Sequence, residues 1–503
     1  MKDSDSFEYD DLQGLFRFGY GKLTDSCFML LQILDAEIAK QWLTEVDVNS
    51  AVMTSPPPDT ALQLAFSVQG LRALGVGESV IAGFSDEFIV GMAGDESRSR
   101  RLGDIADNAP DSWDWGGKSA ETAHLLLLLY AREGGMDEWR SSIQTEQFTR
   151  AFRLLRQLPT LDIGPNEPFG FPDGISQPDI DWKLEQSTDL HERDRYSNRL
   201  AVGEVVLGYP NEYGLYTDRP LIDPDQDALT GQLPDADDHP GMKDLGRNGS
   251  YLVIRQLEQD VVGFWQFLDR AAGSVPEERD RLAASMVGRD RSGAPLVSTS
   301  TSDATGRPDN HFTYQQDPDG HQCPLGAHIR RSNPRTGDFP SAVTGFISRL
   351  IKILGFGQIR PDEDLIASTR FHRLLRRGRS YGPRLTPENA LKSDAPAAKR
   401  GLQFVCLAAS ISRQFEFVQN AWTTSSKFAG IQNESDPLLG HRTPLMSGEP
   451  TDRFYRPDPS GPARITCHLP RFTTVRGGGY FFIPGLRALR YIASLPVDAG
   501  DAP

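Results

Sequence analysis

Two stretches far apart in the chain, 251–272 (YLVIRQLEQDVVGFWQFLDRAA) and 401–422 (GLQFVCLAASISRQFEFVQNAW), each run an apolar strand-like segment straight into a helical one. Strands that feed helices bury one sheet face under those helices, which places the chain in the α+β class. Residues 8–160 alternate in the same way, with apolar runs at 12–18, 27–42 and 62–74. A chain of 503 residues exceeds one ordinary core, so several units or one duplicated fold are expected. Between the two α+β regions, from about 160 to 250, Pro, Asp and Gly accumulate (EPFGFPDGISQPDIDW, GYPNEYGLYTDRPLIDPDQD). That composition favours turns and long ordered loops, where function often sits. The tail after Ala493 reads as frayed.

Charge narrows the partners. Lys plus Arg number 53 against 69 Asp plus Glu, a net charge of −16 that repels phosphate backbones, so nucleic acid is not an expected partner. The four cysteines form no CxxC pair, which argues against a zinc site or a disulfide framework and for a reducing compartment. The acidic start MKDSDSFEYDD has no apolar signal region, and no stretch reaches the roughly 20 apolar residues of a membrane span. A cytoplasmic protein without a membrane partner is the expectation, and a homo-oligomer is compatible with it.

Three segments could carry chemistry. In Gly170-Phe171-Pro172-Asp173-Gly174 an acid stands between two glycines and after a proline, which fixes the backbone and lets a ligand approach closely. Asp173 could face a cavity there, or cap its own turn. The segment 323–335, CPLGAHIRRSNPR, sets one histidine, His328, beside Arg330, Arg331 and Arg335. Such a strip suits an anionic ligand, and a neutral imidazole suits a metal, although a lone histidine is more often structural. Residues 371–382, FHRLLRRGRSYG, form a second arginine run that could equally be a solvated helix face. Its GRSYG matches GxSxG, but arginines precede the serine and Pro383 follows, so the strand and helix of a nucleophile elbow are missing. No GxGxxG opens a helix, GGKS at 116–119 lacks the first glycine of a phosphate-binding loop, and HExxH is absent. His311, His321 and His372 read as surface or loop residues.

Taken in order, FGFPDGISQP, CPLGAHIRRSNPR and LLRRGRSYGP resemble the dye-decolorizing peroxidase family. The resemblance runs along nearly the whole chain, through DLQGLFRFGYGKL, GEVVLGYPNEYG, LAASMVGRDRSGAPLV and RGGGYFFIPGLRAL, and is strongest to the larger bacterial members. It implies two ferredoxin-like units with four-stranded antiparallel sheets, an arrangement of the dimeric α+β-barrel kind. Residues 8–165 would form the first unit, 166–240 a loop region carrying GxxDG, and 241–492 a second, haem-binding unit. It further implies haem b as cofactor, hydrogen peroxide as oxidant, and a bulky phenolic or dye-like reductant oxidised by one-electron steps.

Carried over residue by residue, the acid of GxxDG falls on Asp173, the iron ligand on His328 and the distal arginine on Arg376. Gly174, Ile175, Ser176 and Arg330 join His328 as cofactor-binding positions. A carboxylate can move the peroxide proton between oxygens, and a guanidinium that never deprotonates can stabilise charge on the departing oxygen. Arg377 adjoins Arg376, so one register slip would exchange them. Compact members carry an asparagine where this chain has Gly378. A carboxylate commonly takes the second nitrogen of the proximal histidine; where some relatives have that acid this chain has Ser410, and Glu416 is the candidate substitute. A haem carrier without turnover is the rival reading, and the Asp173 and Arg376 positions speak against it.

Overall fold

The apolar runs of the first half fold as β1 (Asp25–Ile33), β2 (Thr60–Phe66), β3 (Leu125–Ala131) and β4 (Phe152–Leu158), in the spatial order β4-β1-β3-β2. The helix Ala36–Glu45 follows β1, and the helices Met136–Ile143 and Glu146–Ala151 follow β3, giving a βαββαβ order into which four short helices between Val68 and Leu102 are inserted after β2. These strands belong to a computed structural model that describes residues 7–185, 198–297, 310, 312–335 and 368–496.

The second half repeats the pattern with β5 (Ser250–Gln259), the short pair β6 (Leu375–Arg376) and β7 (Arg379–Tyr381), then β8 (Gly401–Ala408) and β9 (Thr473–Ile483). β6 and β7 both pair with β8, so its order is β6/β7-β8-β5-β9, the same arrangement of second, third, first and fourth strands as in the first half. After β5 come the helices Val261–Ala271 and Pro276–Val287. After β8 the chain coils as π-helix over Ser412–Glu416 and Val418–Thr424. The two halves meet where Phe482 of β9 pairs with Phe66 of β2, so the described residues form one nine-stranded antiparallel sheet.

Strand alternation sorts the core onto two faces. Met29, Leu64, Leu127, Val253 and Cys406 pack under the helices. Phe28, Leu126, Ile254, Val405 and Leu407 face the segments around Leu15 and Val205. This double covering explains the run LLLLLYA in β3, whose residues are all buried. On the same face as Val253 and Cys406, toward the ends of β5 and β8, Leu257, Gln259, Leu402 and Phe404 line a cavity, with Leu257 and Phe404 also packed on that core. The expected Pro, Asp and Gly-rich loops are held by two-residue pairings of Asp179–Ile180 with Arg199–Leu200 and of Leu221–Ile222 with Lys243–Asp244. No described helix is long and apolar enough to cross a membrane, and the four cysteines are unpaired.

Candidate active site

The cavity measures about 220 Å³ and gathers side chains from segments widely separated in sequence. The 167–176 loop supplies Asp173, Ile175 and Ser176, the short strand β6 supplies Arg376, and the helix His328–Ser332 supplies His328. Phe404, Phe415, Val418 and Leu439 make its walls largely apolar.

The Asp173 turn needs its glycines: Gly170 and Gly174 have φ of 101° and 79°, a region that side-chain-bearing residues rarely adopt. The Asp173 N–H donates to Pro165 O at 3.0 Å. Its carboxylate takes two hydrogen bonds on Oδ1, from Arg376 Nη1 at 2.8 Å and from the Gly174 N–H at 2.6 Å. Among the described residues no hydrogen bond is made to Oδ2, and Asp173 lines the cavity. Burial alone would raise the Asp173 carboxyl, but the Arg376 guanidinium and the Gly174 N–H hold it below the ordinary 3.8. The carboxylate is 42 % exposed, and what it is exposed to is the cavity.

Arg376 and Arg377 are separated by the period of the strand. Leu375 points into the core, Arg376 into the cavity, and Arg377 back across the sheet, where Nε and Nη2 donate to Leu15 O (2.7 Å) and Phe16 O (2.8 Å). The Arg376 N–H is held by Gln177 Oε1 at 3.0 Å. A Cβ on Gly378 would come within 2.7 Å of Gln403 O, which explains why the asparagine of compact members has no room here.

His328 opens its helix and places Nδ1 2.9 Å from Asp436 Oδ2. Asp436 is fully buried, and its Oδ1 accepts from the N–H groups of Leu438 (2.8 Å) and Leu439 (2.9 Å). Burial works against the charged form of His328, yet the Asp436 carboxylate draws its pKa above the ordinary value. Asp436 in turn is held low by His328 and Arg331 against burial. With Nδ1 committed as donor, Nε2 is the nitrogen left to ligate a metal. The donor set fits haem: one imidazole backed by a carboxylate, apolar walls, and the guanidinium-bearing Arg289 and Arg335 on the same lining for anionic propionates. Among the described residues no cluster of three His, Cys, Asp or Glu could hold a bare metal ion.

Several expectations change. Arg330, expected to meet the cofactor, lies off the cavity: two residues past His328 a helix has turned about 200°, and Arg330 is buried on Asp317 Oδ2 (3.0 Å) and over the Tyr314 ring. Arg289 and Arg335 take the lining positions instead, with Arg289 Nη2 donating to Ser176 Oγ at 3.1 Å. Gly174 acts through its N–H on Asp173. Neither Ser410 nor Glu416 reaches His328: Ser410 Oγ caps the Arg413 N–H, and Glu416 is taken by Arg98 (2.8 Å) and the Tyr480 hydroxyl (2.9 Å). The acceptor is Asp436, 108 residues beyond the histidine, whose only sequence signal is an Asp-Pro turn. His372 is buried against Phe417 with its ring centroid at 3.7 Å, His321 is exposed, and His311 lies outside the described residues.

No family model matches the chain. It is 29 % identical over 514 residues to a dye-decolorizing peroxidase of Mycetinis scorodonius, covering 96 % of this chain and 87 % of that protein. A multifunctional dye peroxidase of an Amycolatopsis species is 27 % identical over 476 residues, covering 90 % and 86 %. Among solved structures, a variant of the decolorizing peroxidase of Auricularia auricula-judae superposes with a TM-score of 0.72 at 26 % identity, covering 98 % of this chain and 100 % of that one. With a cavity that joins His328, Asp173 and Arg376, the chain is similar along almost its full length to dye-decolorizing peroxidases in both sequence and fold.

Proposed function

We propose that the protein binds haem b through His328 Nε2 and reduces hydrogen peroxide with Asp173 as acid/base and Arg376 as the stabilising cation. The observation that carries this assignment is the Asp173–Arg376 ion pair on the same cavity as the carboxylate-backed His328. Haem, when bound, supplies the iron-centred redox chemistry. Asp173 Oδ2, free of the bonds that occupy Oδ1, takes the proton from one peroxide oxygen and delivers it to the other. Arg376 spends Nη1 on Asp173, and its remaining N–H groups stabilise negative charge on the departing oxygen, since a guanidinium gives up no proton of its own. Arg289 and Arg335 hold the propionates, and Asp436 keeps the His328 ring oriented and electron-rich. Bulky phenolic or dye-like compounds are the reductants.

A haem carrier would have no use for a paired acid and guanidinium facing its cofactor. The test is the absorption spectrum of the purified, haem-loaded protein before and after one equivalent of hydrogen peroxide, followed by a phenolic reductant. A Soret shift reversed by the reductant is expected. A protein that binds haem and never changes spectrum with peroxide overturns the assignment.

A further inference from the structure

The loop that presents Asp173 is closed around a second carboxylate. Glu167 Oε2 accepts from the Phe169 N–H (2.9 Å) and from Gln259 Nε2 (2.8 Å), while Oε1 accepts from the Phe171 N–H (3.1 Å). Backbone bonds run alongside: the Glu167 N–H to Phe171 O and the Gly170 N–H to Glu167 O, both 2.8 Å. The aromatic side chains of the loop are anchored too, Phe169 against Phe264 and Phe171 stacked on Trp265, whose indole N–H reaches Phe169 O at 3.0 Å. Gln259 ends β5, so the Glu167 carboxylate ties the loop to the sheet under the cavity.

The chemistry of that tie is one-sided. All three hydrogen-bond partners of the Glu167 carboxylate are donors, which suits an ionised carboxylate and nothing else of its size. A glutamine there would aim its own NH₂ at an N–H group and leave a buried donor unpaired. Burial outweighs the three hydrogen bonds and leaves the Glu167 carboxyl raised to about 7, so it carries its charge above that value. Nothing in the packing of Phe169 and Phe171 requires a charge at this point, because both rings already sit in an apolar cluster. What the charge adds is the fixed path of the backbone from Pro165 to Asp173.

We propose that Glu167 is a positioning residue for the peroxide step: its carboxylate locks the 165–173 loop to β5 and so sets where Asp173 stands beside Arg376. The inference rests on Asp173 being the acid/base. Both Glu167 oxygens are engaged, so Glu167 acts through the loop and not on peroxide. Displacement of an acid/base group by about 1 Å is enough to cost a large factor in rate.

The experiment compares Glu167→Gln with the parent in the haem-loaded protein, alone and combined with Asp173→Asn. The readouts are the rate of Soret change on mixing with peroxide and amide hydrogen exchange over the loop. Glu167→Gln is expected to slow the peroxide step about tenfold or more, to expose the Phe169 and Phe171 amides to exchange, and to add no further slowing once Asp173 is Asn. Equal factors in both backgrounds would mean general damage and overturn the proposal. A fast Glu167→Gln beside a slow Asp173→Asn overturns the positioning role alone, whereas a fast Asp173→Asn removes the acid/base reading and this inference with it. Should Glu167→Gln fail to fold, Gln259→Leu removes one donor and keeps the carboxylate; it is expected to slow the step several-fold in the same Asp173-dependent way, and a parental rate overturns the proposal.

Discussion

Replacing Arg376 with leucine removes two things at once, and they can be measured apart. The first is charge stabilisation: loss of one fixed donor from a water-poor site costs on the order of a hundredfold in rate. The second concerns Asp173, whose carboxylate is 2.8 Å from the guanidinium. An adjacent arginine lowers an aspartate pKa by about one to three units. Because Asp173 is 42 % exposed to the cavity, solvent screens part of that interaction. The sign follows from the causes: the parent Asp173 is held below 3.8, so its base form survives acidification past that value, and in the variant burial, which raises it, is opposed by the Gly174 N–H and His328 without the guanidinium. The acid limb of the peroxide step should therefore move to higher pH in Arg376→Leu. Stopped-flow Soret traces from pH 3 to 9 report both effects. Asp173→Asn should also lose about a hundredfold near neutrality, within the range for general acid/base catalysis, but recover at high pH, where hydroperoxide arrives already deprotonated. Arg376→Leu should not recover. An Arg376 variant within about threefold of the parent, well short of what a lost donor costs, or one whose acid limb stays in place, would refute the reasoning, and alkaline rescue of the Arg variant but not the Asp variant would reverse the two roles.

Three further outcomes follow from the proximal side. His328→Ala should weaken haem retention, because the imidazole backed by Asp436 is removed; full Soret absorbance with an unchanged spin-resonance signal would show that another residue is the ligand. Asp436→Asn should raise the haem reduction potential and cut haem affinity about tenfold or more, since a neutral amide withdraws the charge behind His328; an unchanged potential by spectroelectrochemistry would count against the pair. Gly326→Ala should destabilise the protein by about 2 kcal/mol or more, because a Cβ there overlaps the buried Glu434 carboxylate beneath the His328 helix; a parental melting temperature would mean that Glu434 moves aside freely.

Local order was legible where a period or a turn carried it. The strand-to-helix runs at 251–272 and 401–422 became β5 with its helices and β8 with the π-helical segment, although π-coiling has no signature in apolar spacing. The glycines around Asp173 announced a tight turn because positive φ leaves few other residues able to make it. Tertiary pairing was harder to read. Asp436 lies 108 residues from His328 and is one of 69 acids, and only the contact with His328 made on folding distinguishes it. Arg330 looked like part of a cationic strip because a linear sequence does not show that a short helix turns it onto Asp317. Glu167 is equally silent in sequence, since its meaning comes from three donors that converge on it only after folding.

The neighbouring arginines give the sharpest test of the register. Arg376 and Arg377 are chemically identical and adjacent, so sequence offers no way to choose between them, but in an extended chain successive side chains leave on opposite faces. β6 is only Leu375–Arg376, yet its pairing with β8, Leu375 opposite Leu407 and Arg376 opposite Cys406, fixes which arginine meets the cavity. Arg377 is then a structural cation: its N–H groups satisfy the carbonyls of Leu15 and Phe16, two fully buried residues of the opposite face. Arg377→Met keeps the length and apolar stem of the side chain and leaves those carbonyls unpaired, a cost of about 2 kcal/mol. The peroxide step should stay within about twofold of the parent, far from the hundredfold expected at a removed charge donor. The two variants thus separate by assay: Arg376→Leu is slow with peroxide, and Arg377→Met is fast with peroxide but melts earlier. If Arg377→Met is slow at full stability, the strand is out of register by one residue and every side chain assigned to the cavity from β6 belongs on the other face.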